Sequence, residues 1–160
     1  MEKKIEINIK LPTIDEVIKK ATIEVPIDIG APDYSSRLRE ALNPYSEQKG
    51  CYIQVLQKNK NTKVIQYVGQ TSKQTFYSRI KFEFNYIARG TSKFYTTLNQ
   101  EINNGKKIFI ALYSDEELKE MCSLPVSKGD NEELKQKNFR LIIERAMINA
   151  YYSETLLNTN

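Results

Sequence analysis

The sequence predicts an α+β fold: a small three-stranded antiparallel sheet flanked by helices, with a short N-terminal α/β extension. Three observations lead there. Residues 51–56 and 64–68 are rich in β-formers and are separated by a short polar tract, the pattern of a hairpin. A third apolar run, Ile108-Phe109-Ile110-Ala111-Leu112, follows two helical stretches closed by Gly90 and Gly105. A long helical stretch then carries an apolar arc of Phe139, Ile142, Ile143, Ala146, Met147 and Ala150.

The elements follow in order. Residues 4–9 alternate through Ile5, Ile7 and Ile9 and read as a strand. Thr13-Ile14-Asp15-Glu16 suits the start of a helix that runs to about residue 21. Residues 22–29 alternate again, and Pro26 puts this strand at an edge. Gly30-Ala31-Pro32-Asp33 is a turn. Ser35 and Ser36 can cap a helix over 37–42, which Asn43-Pro44 stops. Residues 1–49 thus form an accessory layer, and residues 50–160 the main domain. In the latter, Lys58-Asn59-Lys60-Asn61-Thr62 gives the hairpin a slightly long loop. Helices over 75–88 and 92–104 lead to the strand 107–113. Ser114-Asp115-Glu116-Glu117 is a capping box that opens a helix to about residue 122. Residues 124–129 read as a loop, and 131–153 as the longest helix.

The 160 residues hold 24 basic and 20 acidic side chains and no histidine, for a net charge of +4. Without histidine the chain has no Ser-His-Asp or Cys-His triad, no HExxH zinc site and no imidazole base. Proton chemistry would fall to Tyr, Lys, carboxylates or metal-activated water. The charge is unevenly spread. Residues 50–112 hold ten basic and two acidic groups, net +8, between flanks of −1 and −3. A concentrated basic segment suits a phosphate backbone, and also a merely solvated surface. Cys51 and Cys122 form no CxxC pair, which suits a reduced compartment. No signal peptide or membrane-spanning run is legible, so a cytoplasmic setting without membrane is expected.

Gly50-Cys51-Tyr52 opens the first hairpin strand and Tyr67-Val68-Gly69 closes the second. Arg79 follows in the next helix, with Glu144 and Asn158 near the end. In these residues the chain resembles the GIY-YIG endonucleases. Gly50-Cys51-Tyr52 stands where that family has Gly-Ile-Tyr, and Tyr67-Val68-Gly69 where it has Tyr-Ile-Gly. Tyr77-Ser78-Arg79-Ile80 is similar to the helical segment with the family's Arg. Glu144-Arg145-Ala146-Met147-Ile148 and Leu156-Leu157-Asn158 are similar to its closing pattern. The chain departs from the family at Cys51. One turn after the Arg, where many members have His or Tyr, it has Glu83, and Gln70 stands where some restriction-type members have Lys.

The resemblance implies a metal-dependent endonuclease that leaves 5′-phosphate and 3′-hydroxyl ends, a small restriction-type or mobile-element-type member. It implies catalytic roles for Tyr52, Tyr67, Arg79, Glu144 and Asn158, with Lys73 the nearest lysine after the second motif. The chemistry of the residues agrees. Glu144 offers a hard oxygen to Mg²⁺ or Mn²⁺. With Leu141 and Ile148 beside it, Glu144 should point toward an apolar face, where a buried ion pair with Arg79 or Arg145 is the plain alternative. Arg79 offers a planar fork to a phosphate, or an ordinary ion pair. Tyr52 could orient or deprotonate water given nearby positive charge, and Tyr67 could bind phosphate; both could equally be packed strand aromatics. Asn158 could tie down the chain end or belong to a tail. Gly69 would allow close approach of nucleic acid or mark a strand end. Lys73, Lys81, Arg89 and Lys93, interleaved with Tyr77, Tyr86 and Tyr95, outline a face for DNA, expected to be double-stranded. Cutting both strands would call for a homodimer, with residues 1–49 supplying its interface or contacts to the DNA. The competing expectations are a non-catalytic nucleic-acid-binding module on the same fold and a structural protein with core tyrosines.

Overall fold

A computed structural model describes residues 2, 8–24, 30–89, 92–122 and 132–151. The described elements are α1 (Ile14–Lys20), β1 (Ile23–Glu24), α2 (Tyr34–Ala41), β2 (Gly50–Asn59), β3 (Thr62–Gln70), α3 (Phe76–Arg89), α4 (Lys93–Asn103), β4 (Lys107–Ser114), α5 (Asp115–Met121) and α6 (Glu132–Tyr151). The fold is α+β. Its sheet has four strands, in the order β1-β4-β2-β3, all antiparallel, and not the three expected. The fourth comes from the N-terminal segment, where Ile23 and Glu24 pair with Ile110 and Phe109 of β4. An edge strand was legible at that position, but its partner lies far along the chain. Of the strand expected over 4–9, residues 4–7 lie outside the described residues. Ile9 forms a bridge with Cys122, and Lys10 N–H donates to the Met121 carbonyl at 2.8 Å.

The hairpin is longer than its apolar runs suggest. Asn59 pairs with Thr62, so Lys60-Asn61 alone makes the turn, and Asn59 Oδ1 accepts from Asn61 N–H at 3.0 Å. Of the lysines in the expected loop, Lys58 sits on the end of β2 with its side chain in water, so pairing continues past it, and Lys60 lies in the turn. A bulge between Gln54 and Val55 interrupts the β2–β3 register.

Alternation along the strands builds two cores. Cys51, Ile53 and Val55 of β2 face α1, α5 and α6, packing with Val17, Leu118, Ile143 and Met147. Tyr52 and Leu56 face α2, α3 and α4, packing with Leu38, Phe76, Ile80, Phe84 and Leu98. The sheet is thus sandwiched between two helical layers, and helices of the N-terminal segment serve both. Helix starts follow their caps. Thr13 Oγ1 accepts from Glu16 N–H at 3.2 Å, and Ser114 and Glu117 form the reciprocal box that the sequence marks.

A buried arginine joins the layers. Arg140 of α6 donates through Nε and Nη2 to the two carboxylate oxygens of Asp115, at 2.7 and 2.8 Å. Its Nη1 donates to the Ser72 carbonyl at 2.6 Å. Ser72 has φ of +55°, so this bond and the Ser72 N–H bond to Gln70 Oε1 (3.3 Å) hold a left-handed turn between β3 and α3. Among the described residues no helix is long and apolar enough to cross a membrane.

Candidate active site

Tyr52 sits opposite Gly69 across the β2–β3 ladder. A Cβ at position 69 would lie 2.5 Å from the Tyr52 ring and 2.7 Å from the Tyr67 ring. The glycine is therefore the floor on which the two phenols meet, with centroids 5.9 Å apart. It is buried, and the space beside it is filled by these two rings.

Helix α3 crosses above this floor and brings two charged groups to the Tyr52 hydroxyl. Arg79 Nε donates to the Tyr52 oxygen at 3.2 Å, and Tyr52 O–H donates to Glu83 Oε1 at 2.9 Å. Arg79 Nη2 donates to the same carboxylate oxygen at 2.9 Å, closing a triangle. Glu83 is 1% exposed and Tyr52 fully buried, whereas the Arg79 side chain is 27% exposed and reaches the surface. Burial, reinforced by the Glu83 charge, pushes the Tyr52 phenol well above its ordinary range. Burial and Glu83 likewise push Tyr67 up to about 12, though the Arg79 charge and hydrogen bonding with Tyr52 and Arg79 oppose the rise. Burial works against the Arg79 guanidinium, but Tyr52 and Glu83 outweigh it and hold Arg79 firmly charged.

Glu144 reaches this region from the other helical layer. Desolvation raises its carboxyl above the usual range, opposed by Arg145, by Arg79 and by a hydrogen bond from the Gln70 amide. Gln70 is the last residue of β3, so Arg79 and Glu144 meet electrostatically at the strand's end. The expected apolar setting of Glu144 holds on one side only: Ile148, one turn after it, packs against the core, whereas Leu141, one turn before it, is 42% exposed.

The structure thus gathers Tyr52, Tyr67 and Arg79 and couples Glu144 to them. Lys73 is exposed in the turn before α3. Lys81 turns to α2, donating to Ser35 Oγ at 3.0 Å and to the Tyr77 hydroxyl at 3.4 Å. That contact borders a cleft of about 590 Å³ between α2 and α3, lined by Ser35, Arg39 and Tyr77 among others. Arg89 and Lys93 are exposed where α3 ends and α4 begins. Asn158 lies outside the described residues, and nothing is described of the Tyr95 side chain. Glu83 and Gln70 stood out in the sequence only as departures from the family pattern, with no role assigned, and Arg140 did not stand out at all. Glu83 had a signal, a carboxylate beside the positions of α3 that carry Ile80, Phe84 and Ile87 inward. Gln70 was marked by its place directly after the second motif but not by its partner, and Arg140 had no signal, since its partners are distant in sequence.

Among the described residues no three His, Cys, Asp or Glu side chains cluster as a metal site. Glu144 beside the Gln70 amide suits a cation held by one carboxylate, waters and a substrate phosphate, as Mg²⁺ often is. Compared with protein-family models, curated proteins and solved structures, the chain matches none.

Proposed function

We propose that this chain is a metal-dependent endonuclease of the GIY-YIG type that hydrolyses DNA to 5′-phosphate and 3′-hydroxyl ends. The observation that carries the reading is the meeting of Tyr52 and Tyr67 over Gly69 with Arg79 hydrogen-bonded to the Tyr52 hydroxyl, three motif residues from three elements brought together. The hairpin followed by α3, and the late helix α6 with Glu144, agree with the same resemblance.

In this reading Arg79 binds the scissile phosphate. Tyr52 and Glu83 fix two of its nitrogens, and its exposed remainder offers the donor fork. Tyr52 does not act as the base. A fully buried phenol that donates to a carboxylate and resists ionisation is a positioning group. Tyr67, partly exposed, donates its hydroxyl toward water or phosphate. Glu144, oriented by Gln70, would hold Mg²⁺ or Mn²⁺, which supplies electrophilic charge and acidifies water when bound. Lys73 stands at the mouth of the site and offers charge to the phosphate backbone.

The burial of Tyr52 also suits a non-catalytic nucleic-acid-binding module on this fold. Incubation of supercoiled plasmid with the protein in Mg²⁺ or in EDTA separates the two. Mg²⁺-dependent nicking or linearisation is expected, and Glu144→Ala should lower it at least a hundredfold, on the order seen when a transition-state charge partner is removed. Binding without any cutting, or undiminished cutting by Glu144→Ala, would overturn the assignment.

A further inference from the structure

Two large apolar side chains are exposed among the described residues, Phe82 at 43% and Leu141 at 42%. Each lies one helical turn from a charged residue of the candidate site. Phe82 follows Arg79 by three positions on α3, with the guanidinium carbon 6.0 Å from its ring centroid. Leu141 precedes Glu144 by three positions on α6. At that spacing each pair shares a helix face. The core accounts for neither. Helix α3 buries Phe76, Ile80, Phe84 and Ile87, and α6 buries Ile143, Met147 and Tyr151.

We infer that Phe82 and Leu141 are apolar contacts for unstacked bases on either side of the scissile phosphate, so that the site takes DNA with unpaired nucleotides beside the cut. The inference rests on the nuclease reading of Arg79 and Glu144. Phe82 does not stand alone. Its ring meets Tyr86 edge-on at 4.4 Å, and the stripe Arg79, Phe82, Tyr86, Arg89 runs along α3 at helical spacing. Cations at both ends with aromatics between them match a nucleic acid strand, phosphates on the cations and base faces on the rings. In a paired duplex both faces of a base are covered by its neighbours. A side chain gains a face only where the stack opens, and opening costs least at an unpaired nucleotide. Phe82 and Leu141 therefore favour bulged or mismatched DNA over a fully paired duplex.

The test uses the full chain and two duplexes, one with a two-nucleotide bulge that carries 2-aminopurine and one fully paired. Affinity is read by anisotropy in EDTA, base stacking by 2-aminopurine fluorescence, and cutting in Mg²⁺. The wild type should prefer the bulged duplex by on the order of tenfold, the scale of one stacked base. Phe82→Ala should reduce that preference to about twofold while its affinity for paired DNA is unchanged, and Phe82→Trp should restore it. Leu141→Ala should shift the ratio in the same direction by less. Both residues are exposed, so melting temperatures should match the wild type. An unchanged ratio in Phe82→Ala overturns the inference while cutting in Mg²⁺ leaves the nuclease reading standing. A lost ratio without any cutting supports the base contact and overturns the nuclease reading. If Phe82→Ala and Leu141→Ala change only the sedimentation of the protein, the patch serves self-association and the inference is overturned.

Discussion

At Tyr52 one hydroxyl accepts from Arg79 and donates to Glu83, and the phenol has no exposed surface. This arrangement orders an arginine and a buried carboxylate around a neutral group, so in the proposed nuclease the motif tyrosine positions its neighbours. The sequence showed the two tyrosines, the glycine and Arg79, because short motifs fix residues that are adjacent in a hairpin and its next helix. It did not show that the phenol is sealed off, since burial depends on α3 lying across β2. Glu144 behaves differently. Burial eases its protonation in the folded chain, so its contribution to stability is favourable below the ordinary carboxylate range and is lost as pH rises through the raised folded value. At neutral pH the folded protein therefore carries an ionised carboxylate at a cost. Glu144→Gln should raise the melting temperature at pH 7, and the gain should fade near about pH 4, where an unperturbed carboxyl is half protonated. Thermal melts at the two pH values check this; equal gains at both would mean that charge burial is not the cause.

Among the elements, α6, α5 and the turn before α3 are held by the single side chain of Arg140. Most elements themselves were legible. Alternation marked β2 and β3, the apolar run marked β4, and the capping box marked α5. What failed was long-range pairing. The joining of β1 to β4 and the ties from Arg140 to Asp115 and Ser72 link residues that no local pattern relates. Arg140→Ala leaves Asp115 without its bidentate partner and the Ser72 carbonyl without its donor. Removing one partner of a buried pair should cost ~3 kcal/mol. Urea denaturation measures it, and a loss below ~0.5 kcal/mol would mean that packing alone holds the turn. Because the turn leads directly into α3, the same variant should loosen Arg79 before it unfolds the sheet.

Across the whole molecule the charge is carried where nucleic acid could reach it. Lys58 and Lys60 are exposed at the hairpin tip, Lys73 at the turn, and Arg89 and Lys93 at the α3–α4 junction. DNA affinity should fall steeply with salt, and Lys73→Ala and Lys93→Ala should each lower the slope of log K against log salt by about 1, for every DNA sequence alike. Titrations over about 50–200 mM salt would show it. A slope near zero would reduce the basic segment to solvated surface. The two helical layers have one more consequence. Arg79 stands on one face of the sheet and Glu144 on the other, so the sheet and its packing fix the gap between them. Cys51 touches the Arg140 carbonyl at 3.6 Å, one turn before Glu144, on the side of β2 opposite Tyr52. A methyl group gained or lost there should change how far α6 stands from the sheet. The hydrophobic interior thus calibrates the distance between Arg79 and Glu144, and under the proposed nuclease reading core substitutions too mild to affect folding should be read out as changes in rate.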